Sequence, residues 1–216
     1  MTRGHVSDIV FTPAVKAEQE RLGSRQAYAK MEQGPGGWED KITPDLAGFI
    51  AERDSFYLAS VNSEGQPYIQ HRGGPPGFLK VLDEKTLGIA DFRGNRQYIT
   101  LGNLTENDKV ALFLMDYPNR QRIKIWGRAR RVEDDPALIE RLMVPGYRAK
   151  PERALLFEVE AWDLNCPQHI TPRYTEPQIA QATEGLRARI VALENEVATL
   201  RTRLGEDTDG ESVIGE

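Results

Sequence analysis

The feature that most constrains the fold is a series of short strand-like runs joined by tight turns in the middle of the chain. The turns fall at 62–65 and 83–85 and are rich in Asn, Asp, Glu and Gly. Parallel neighbours need a crossover of about a dozen residues or more, so turns this short require antiparallel pairing. The runs themselves are Phe56 to Val61, Pro67 to His71, Phe78 to Leu82 and Thr86 to Ala90.

Three further strands are predicted in the second half of the chain. Residues 110–115 are continuously apolar, which favours a strand buried on both faces. Residues 121–132 alternate instead, placing Arg122, Lys124 and Trp126 on one face. A last strand is expected over 154–164. About seven strands with few intervening helices predict a mainly β or α+β class, with a closed or nearly closed antiparallel barrel.

Helices are predicted around these strands. Residues from Thr12 to about Gln33 favour one helix, and Thr43 with Pro44 begins a second that runs to about Arg53. Two short helices are expected after Asn95, to about Leu104, and from 134–136 to about Met143.

The C-terminal segment has a different pattern from the rest of the chain. Its apolar residues recur at spacings of four and three, the a/d rhythm of a coiled coil, at Leu186, Ile190, Leu193, Val197, Leu200 and Leu204. Two interpretations remain open, because such a helix can pack on its own barrel or pair with a partner subunit.

The bulk composition supports one core with appendages. A chain of 216 residues with 39% hydrophobic content can bury one sizeable core. We therefore expect an N-terminal helical extension, a barrel domain, an amphipathic helix and a disordered acidic tail, at 1–42, 43–175, 176–205 and 206–216.

Several classes of function are disfavoured. The net charge of -5 argues against a nucleic-acid binder, which needs a basic surplus. No run approaches the roughly 18 apolar residues of a membrane span, and the N-terminus lacks the apolar core of a signal peptide. The single Cys166 and three scattered His residues suggest neither a disulfide nor a metal site. A cytoplasmic protein is expected.

Two Gly-rich segments that carry Arg follow strand-like runs, at 70–78 and 91–96. Glycines allow close backbone approach, and an Arg fork suits a phosphate, so the first segment offers Arg72 with Gly73 and Gly74. The second places Asn95 and Arg96 at an expected helix start, where free N–H groups favour an anion. Arg122 and Lys124 add positive charge on one strand face. Each feature alone is equally compatible with a turn, a helix cap or a solvated charged face.

The ordered succession of these motifs resembles the pyridoxamine 5'-phosphate oxidase-like, FMN-binding split-barrel family over residues 43 to 165. The matching residues include 65–68, 72–74, Phe78, 91–96, 110–113 and 122–129. The resemblance implies a Greek-key split barrel that forms a homodimer, with FMN in clefts at the subunit interface. It implies cofactor contacts from Arg72, Gly73, Gly74, Phe78, Asp91, Asn95, Arg96, Arg122 and Lys124, and no catalytic side chain.

The resemblance also implies a function. The leading hypothesis is an FMN-dependent oxidoreductase that passes electrons or hydride between the flavin and a small substrate or a donor such as NAD(P)H. The family's C-terminal substrate motif is not reproduced, so pyridoxamine phosphate is not the expected substrate. The alternative is a non-catalytic module that binds flavin or haem and acts through a partner.

Overall fold

The computed structural model describes residues 4–34, 38–165 and 167–205. Two compact units divide the chain, one up to Thr171 and one from Pro172. The predicted acidic tail at 206–216 and Cys166 lie outside the described residues. In order, the helices and strands are α1 Pro13–Arg21, α2 Arg25–Gln33, α3 Pro44–Ala51, β1 Ser55–Val61, β2 Pro67–Gly73, β3 Lys80–Val81, β4 Thr86–Phe92, α4 Ile99–Glu106, β5 Lys109–Asp116, β6 Gln121–Val132, α5 Pro136–Leu142, β7 Pro151–Asn165 and α6 Glu176–Leu204.

All seven strands form one antiparallel sheet in the order β2-β1-β5-β6-β7-β4-β3. The sheet curves around a single main core, to which β1 and β4 to β7 all contribute side chains. The ring of Phe56 on β1 lies 6.1 Å from that of Phe157 on β7, although two strands separate β1 from β7 in the sheet. The predicted fold class, an antiparallel split barrel of the α+β type with a long C-terminal helix, is confirmed.

The two ends of the sheet meet through polar side chains. On edge strand β2, Arg72 Nη1 donates to Asp91 Oδ1 of β4 at 2.5 Å. Helix α4 is hydrogen-bonded to the same end of the sheet, because Thr100 Oγ1 donates to Gln70 Oε1 of β2 at 2.8 Å. Asn103 Nδ2 of α4 donates to the buried Ser60 Oγ of β1 at 2.9 Å. The Arg72–Asp91 pair thus closes the barrel across its split, and α4 packs on the β2–β1 end beside it.

The helix predictions hold in part. Helix α3 begins as expected, with Thr43 Oγ1 accepting from the N–H of Leu46 at 3.2 Å. The single helix predicted from Thr12 to Gln33 is wrong, because two helices flank a break at Gly23. Gly23 has a φ of 78°, a left-handed conformation that ends a helix and that helix-favouring composition does not reveal.

Strand β5 corrects a second prediction. Its side chains alternate between buried and half-exposed, so only one face lies in the core, whereas the apolar run 110–115 predicted burial on both. Apolar residues therefore occupy the outward face of the sheet at Ala111, Phe113 and Met115. The predicted strand 78–82 shortens to β3, because Phe78 and Leu79 are buried core residues outside the ladder.

The main element of the C-terminal unit is helix α6. Thr175 precedes the helix and its N–H donates to Gln178 Oε1 at 2.8 Å, while Gly205 ends the helix with a φ of 72°. No helix in the described part of the chain is long and apolar enough to cross a membrane.

One glycine in the barrel has no substitute. The β6–β7 register shifts between Trp126 and Gly127, and a Cβ on Gly127 would lie 1.9 Å from the carbonyl oxygen of Glu158. No real Cβ tolerates that distance, so the bulge requires glycine at this position.

We expect Gly127→Ala to destabilise the fold by about 2–4 kcal/mol, because β6 and β7 must separate to admit the methyl group. Gly48→Ala is the matched control, since a Cβ on this exposed residue of α3 meets no atom within 4 Å. The control should raise stability by about 0.5–1 kcal/mol through helix propensity. Urea unfolding measures both, and equal effects would contradict the assignment of the bulge.

Candidate ligand-binding site

A cavity of about 230 Å³ opens where the two ends of the sheet meet. Its walls come from the inward face of β2, the end of β4, the loop that follows β4, the first turn of α4 and the start of β7. The lining residues are Tyr68, Gln70, Arg72, Asp91, Phe92, Gly94, Asn95, Arg96, Gln97, Tyr98, Ile99, Thr100, Leu101, Glu152 and Arg153.

Asp91 organises one wall of this cavity. Its buried carboxylate accepts from Arg72 Nη1 at 2.5 Å and from Arg153 Nη1 at 2.9 Å. Burial lowers the pKa of Arg153, but the hydrogen bond and charge of Asp91 more than offset this and raise it overall. The Arg153 guanidinium therefore stays charged beside the cavity. Nothing in the sequence indicated Arg153, because its contact depends on the β4–β7 register, which pairs Arg153 with Asp91.

Two guanidinium donors in this wall make no hydrogen bond to the described residues, the Nε–H groups of Arg72 and Arg153. The Nε–H of Arg72 is buried and makes no hydrogen bond to any residue that the structure describes. An unpaired buried donor of a charged group is costly, and a bound anion or water is an accepted explanation for one. The Nε of Arg153 differs, because it lies 3.5 Å from a Glu133 carboxylate oxygen, although without hydrogen-bond geometry.

The loop before α4 is held in an unusual conformation. Arg96 and Tyr98 have φ angles of 63° and 55°, a region that non-glycine residues rarely adopt. Arg96 Nε donates to Tyr98 Oη at 3.2 Å, and this bond raises the pKa of Arg96. The Arg153 guanidinium lies 5.5 Å from the centre of the Tyr98 ring. Backbone strain of this kind concentrates at binding sites.

The N-terminus of α4 adds a second source of positive potential. The helix begins at Ile99, later than predicted, because Asn95 Oδ1 accepts from the N–H of Gln97 at 3.2 Å and forms a turn instead of a helix cap. Tyr98 occupies the cap position and its side chain makes no capping bond. The first turn of α4 lines the cavity and is not capped by the Tyr98 side chain, an arrangement that favours an anion.

The structure brings together four of the residues predicted to contact a cofactor: Arg72, Asp91, Asn95 and Arg96 all line the cavity. Gly73, Gly74 and Phe78 do not line it. A Cβ on Gly74 would lie 2.8 Å from the side chain of Phe78, so here glycine accommodates a core residue. Phe78 is 3% exposed and its ring lies 5.7 Å from that of Phe56.

Arg122 and Lys124 lie on the outward face of β6, away from the cavity lining. The Nε–H of Arg122 is buried and has no hydrogen-bond partner within the described ranges. Lys124 pairs across the ladder with Asp163 of β7. Burial raises the pKa of Asp163, and the charge of Lys124 offsets part of that rise. Further along the same face, Trp126 is stacked on Trp38 of the N-terminal segment at 4.6 Å.

The chain is similar to known proteins in sequence and in fold. A family model described as pyridoxamine 5'-phosphate oxidase matches residues 42–166, more than half of the chain. No curated protein matches the sequence. Many solved structures do match, and three of them illustrate the range.

The first is HupZ of Group A Streptococcus, with 18% identity over 62% of this chain and 99% of that chain and a TM-score of 0.47. The second is an FMN-binding protein from Syntrophomonas wolfei, with 15% identity over 71% and 95% and a TM-score of 0.44. The third, from Clostridium acetobutylicum, is related to general stress protein 26 of B. subtilis and described as of the pyridoxinephosphate oxidase family, with 17% identity over 59% and 88% and a TM-score of 0.42.

Asp91→Asn tests the wall of the cavity. We expect a loss of about 3–5 kcal/mol of stability in urea unfolding, because two buried guanidinium groups lose their shared counter-charge. Asp108→Asn is the control, since Asp108 pairs with a half-exposed Arg128 at 2.7 Å and should cost at most about 1 kcal/mol. A small effect at Asp91 would contradict its role in closing the barrel.

Asp163→Asn tests the raised pKa of the Asp163 carboxyl group on β7. Because the pKa of Asp163 is raised in the folded state, the protein loses stability as the pH rises from about 4, the ordinary pKa of Asp, through the pKa of Asp163 in the folded state. The variant should therefore be more stable than wild type at pH 7, and the gain should vanish by about pH 4. Urea unfolding at both pH values checks this, and a variant no more stable than wild type at pH 7 would contradict it.

Proposed function

Because the chain belongs to the pyridoxamine 5'-phosphate oxidase family, we propose that it is an FMN-dependent oxidoreductase whose cavity holds the phosphate end of the flavin. The buried, unpaired Nε–H of Arg72 in the cavity wall is the observation that carries this proposal. A phosphate oxygen is a strong acceptor for such a donor, and charge-assisted bonds of this type are about twice as strong as neutral ones.

The charges around the cavity suit an anion. Three Arg side chains and two carboxylates line it, Arg72, Arg96 and Arg153 against Asp91 and Glu152, which leaves one net positive charge. Arg96 is exposed at the mouth and held by Tyr98, so its guanidinium is available to a ligand that enters. The N–H groups of the first turn of α4 add to this potential. We propose that Arg72, Arg96 and the N-terminus of α4 bind the phosphate, and that Asn95 shapes the loop before α4.

The size of the cavity supports a second part of the proposal. Pockets for drug-sized ligands measure about 300–1,000 Å³, whereas this one measures about 230 Å³. It can accept a phosphate and adjoining atoms, but the flavin ring needs a further surface. We propose that a second copy of the chain supplies it, so that the cofactor lies at the interface of a homodimer.

The outward face of the sheet favours this assembly. Tyr57 of β1 is 40% exposed and Ile69 of β2 66% exposed, and the half-exposed Phe113 of β5 continues the apolar surface. Contiguous apolar surface of this kind marks protein interfaces. Arg122 and Lys124 lie on the same face, and we assign them to the interface instead of the phosphate cavity. The unpaired Nε–H of Arg122 offers a donor there.

The chemistry would come from the cofactor. When bound, FMN supplies hydride or electron transfer to a small substrate or from a donor such as NAD(P)H. The side chains of the cavity would bind and orient the cofactor, and none is assigned as a catalytic acid, base or nucleophile. Gly73, Gly74 and Phe78 would act indirectly, by fixing the end of β2 that carries Arg72.

The visible spectrum of the purified protein tests cofactor choice. After incubation with FMN and desalting, we expect a flavin spectrum and quenched flavin fluorescence, whereas a colourless protein that leaves free FMN fluorescence unchanged would refute the proposal. Parallel incubation with haem tests the alternative ligand. Anaerobic addition of NADH or NADPH then separates an oxidoreductase, in which the flavin bleaches, from a binding module, in which it does not.

Arg96→Ala should weaken FMN binding roughly ten- to a hundredfold, equivalent to about 1.5–3 kcal/mol, through loss of a charge-assisted contact with the phosphate. Fluorescence titration measures the dissociation constant. Arg21→Ala removes an equal charge from the exposed face of α1, where Arg21 pairs with Glu18. It should bind FMN like wild type, and an unchanged affinity of Arg96→Ala would move the phosphate elsewhere.

A further inference from the structure

Helix α6 presents a continuous apolar seam. When Ile190 is placed at position a of a heptad, seven of the eight large apolar residues from Ile179 to Leu204 fall at positions a and d, and the eighth, Val191, falls at b. These side chains are between 41% and 74% exposed. Position d holds Ile179, Leu186, Leu193 and Leu200, and position a holds Thr183, Ile190, Val197 and Leu204.

The residue types along the seam specify its partner. The two central a positions, Ile190 and Val197, are β-branched, and the d positions that flank them are all Leu. β-Branched residues at a with Leu at d favour two strands in parallel coiled coils. An occupant with the same seam, a second copy of this chain, fits that requirement.

The charges beside the seam are complementary to a second copy. Arg189 and Glu196 occupy g positions, and Glu194 and Arg201 occupy the e positions five residues after them. Side chains five apart on one helix are not neighbours, since contacts occur at spacings of three and four. Across a parallel, in-register pair, g faces the following e of the other helix, so each Arg meets a Glu.

We propose that α6 pairs with α6 of a second copy as a parallel, in-register, two-stranded coiled coil. The residues of this contact belong to the C-terminal unit and are not among those that line the cavity. The contact gives the chain an assembly surface that does not depend on cofactor binding.

Directed disulfide formation in the full-length chain tests the pairing. Cys166 is the only cysteine, so Cys166→Ser gives a background without native thiols. In that background Leu193→Cys places identical thiols opposite each other in one d layer, within reach of a disulfide. Asn195→Cys is the matched control, because position f points away from the seam.

Mild oxidation should convert Leu193→Cys to a covalent dimer at least about tenfold faster than Asn195→Cys on non-reducing gels. Equal rates, or no covalent dimer from Leu193→Cys, would overturn the proposal. An antiparallel pair gives no covalent dimer from Leu193→Cys, because Leu193 then faces Ile190. FMN titration of the same samples reports on the flavin proposal separately, since neither substitution touches the cavity.

Charge exchange tests the register and the direction together, with dimer formation by Leu193→Cys as the readout. Glu194→Arg should slow it about tenfold, whereas Glu184→Arg, the same change at an outward b position, should not. Adding Arg189→Glu to Glu194→Arg should restore the rate in a parallel pair. In an antiparallel pair Glu194 faces Arg187 and Arg189 faces Glu196, so the double exchange would slow dimer formation further and refute the proposal.

Discussion

The barrel depends on one carboxylate, that of Asp91, which binds guanidinium groups from two different strands. Through Arg72 it connects β2, the first strand in the order of the sheet, to β4 near the opposite end. Through Arg153 it fixes β7 beside β4. A sheet with two free edges needs such a connection to keep its core enclosed. Because Asp91 is buried and the Arg72 and Arg153 side chains are only 14% and 13% exposed, water competes poorly for these hydrogen bonds.

The same interaction shapes the candidate site. With its Nη1 committed to Asp91, Arg72 keeps its Nε–H in the wall without an acceptor from the described residues. The strained loop at Arg96 and Tyr98 and the start of α4 complete the opposite wall. The ion pair that closes the barrel therefore also fixes the donors of the candidate anion site, and a ligand that binds there would meet donors already oriented for it.

Local patterns in the sequence predicted much of this architecture. Alternation identified β6, tight turns required antiparallel pairing, and Thr43 with Pro44 located α3. Arg72 and Arg96 could be singled out because Arg beside glycine after a strand is a local signal. Arg153 could not, since its role depends on strand register, and the half-exposed apolar face of β5 resembles a buried strand when only the sequence is read. The break at Gly23 depends on a single backbone angle that composition does not encode.

The sequence separations within the Asp91 cluster bear on how the protein is made. Arg72 and Asp91 are 19 residues apart, whereas Asp91 and Arg153 are 62 residues apart. Chains emerge from the ribosome N-terminus first, so β2 and β4 are available well before β7. During that interval Asp91 has one Arg partner and the cavity lacks the wall that β7 supplies. If the cavity holds the cofactor as proposed, binding there requires the wall that β7 supplies, so the finished barrel and not the nascent chain would take up the cofactor.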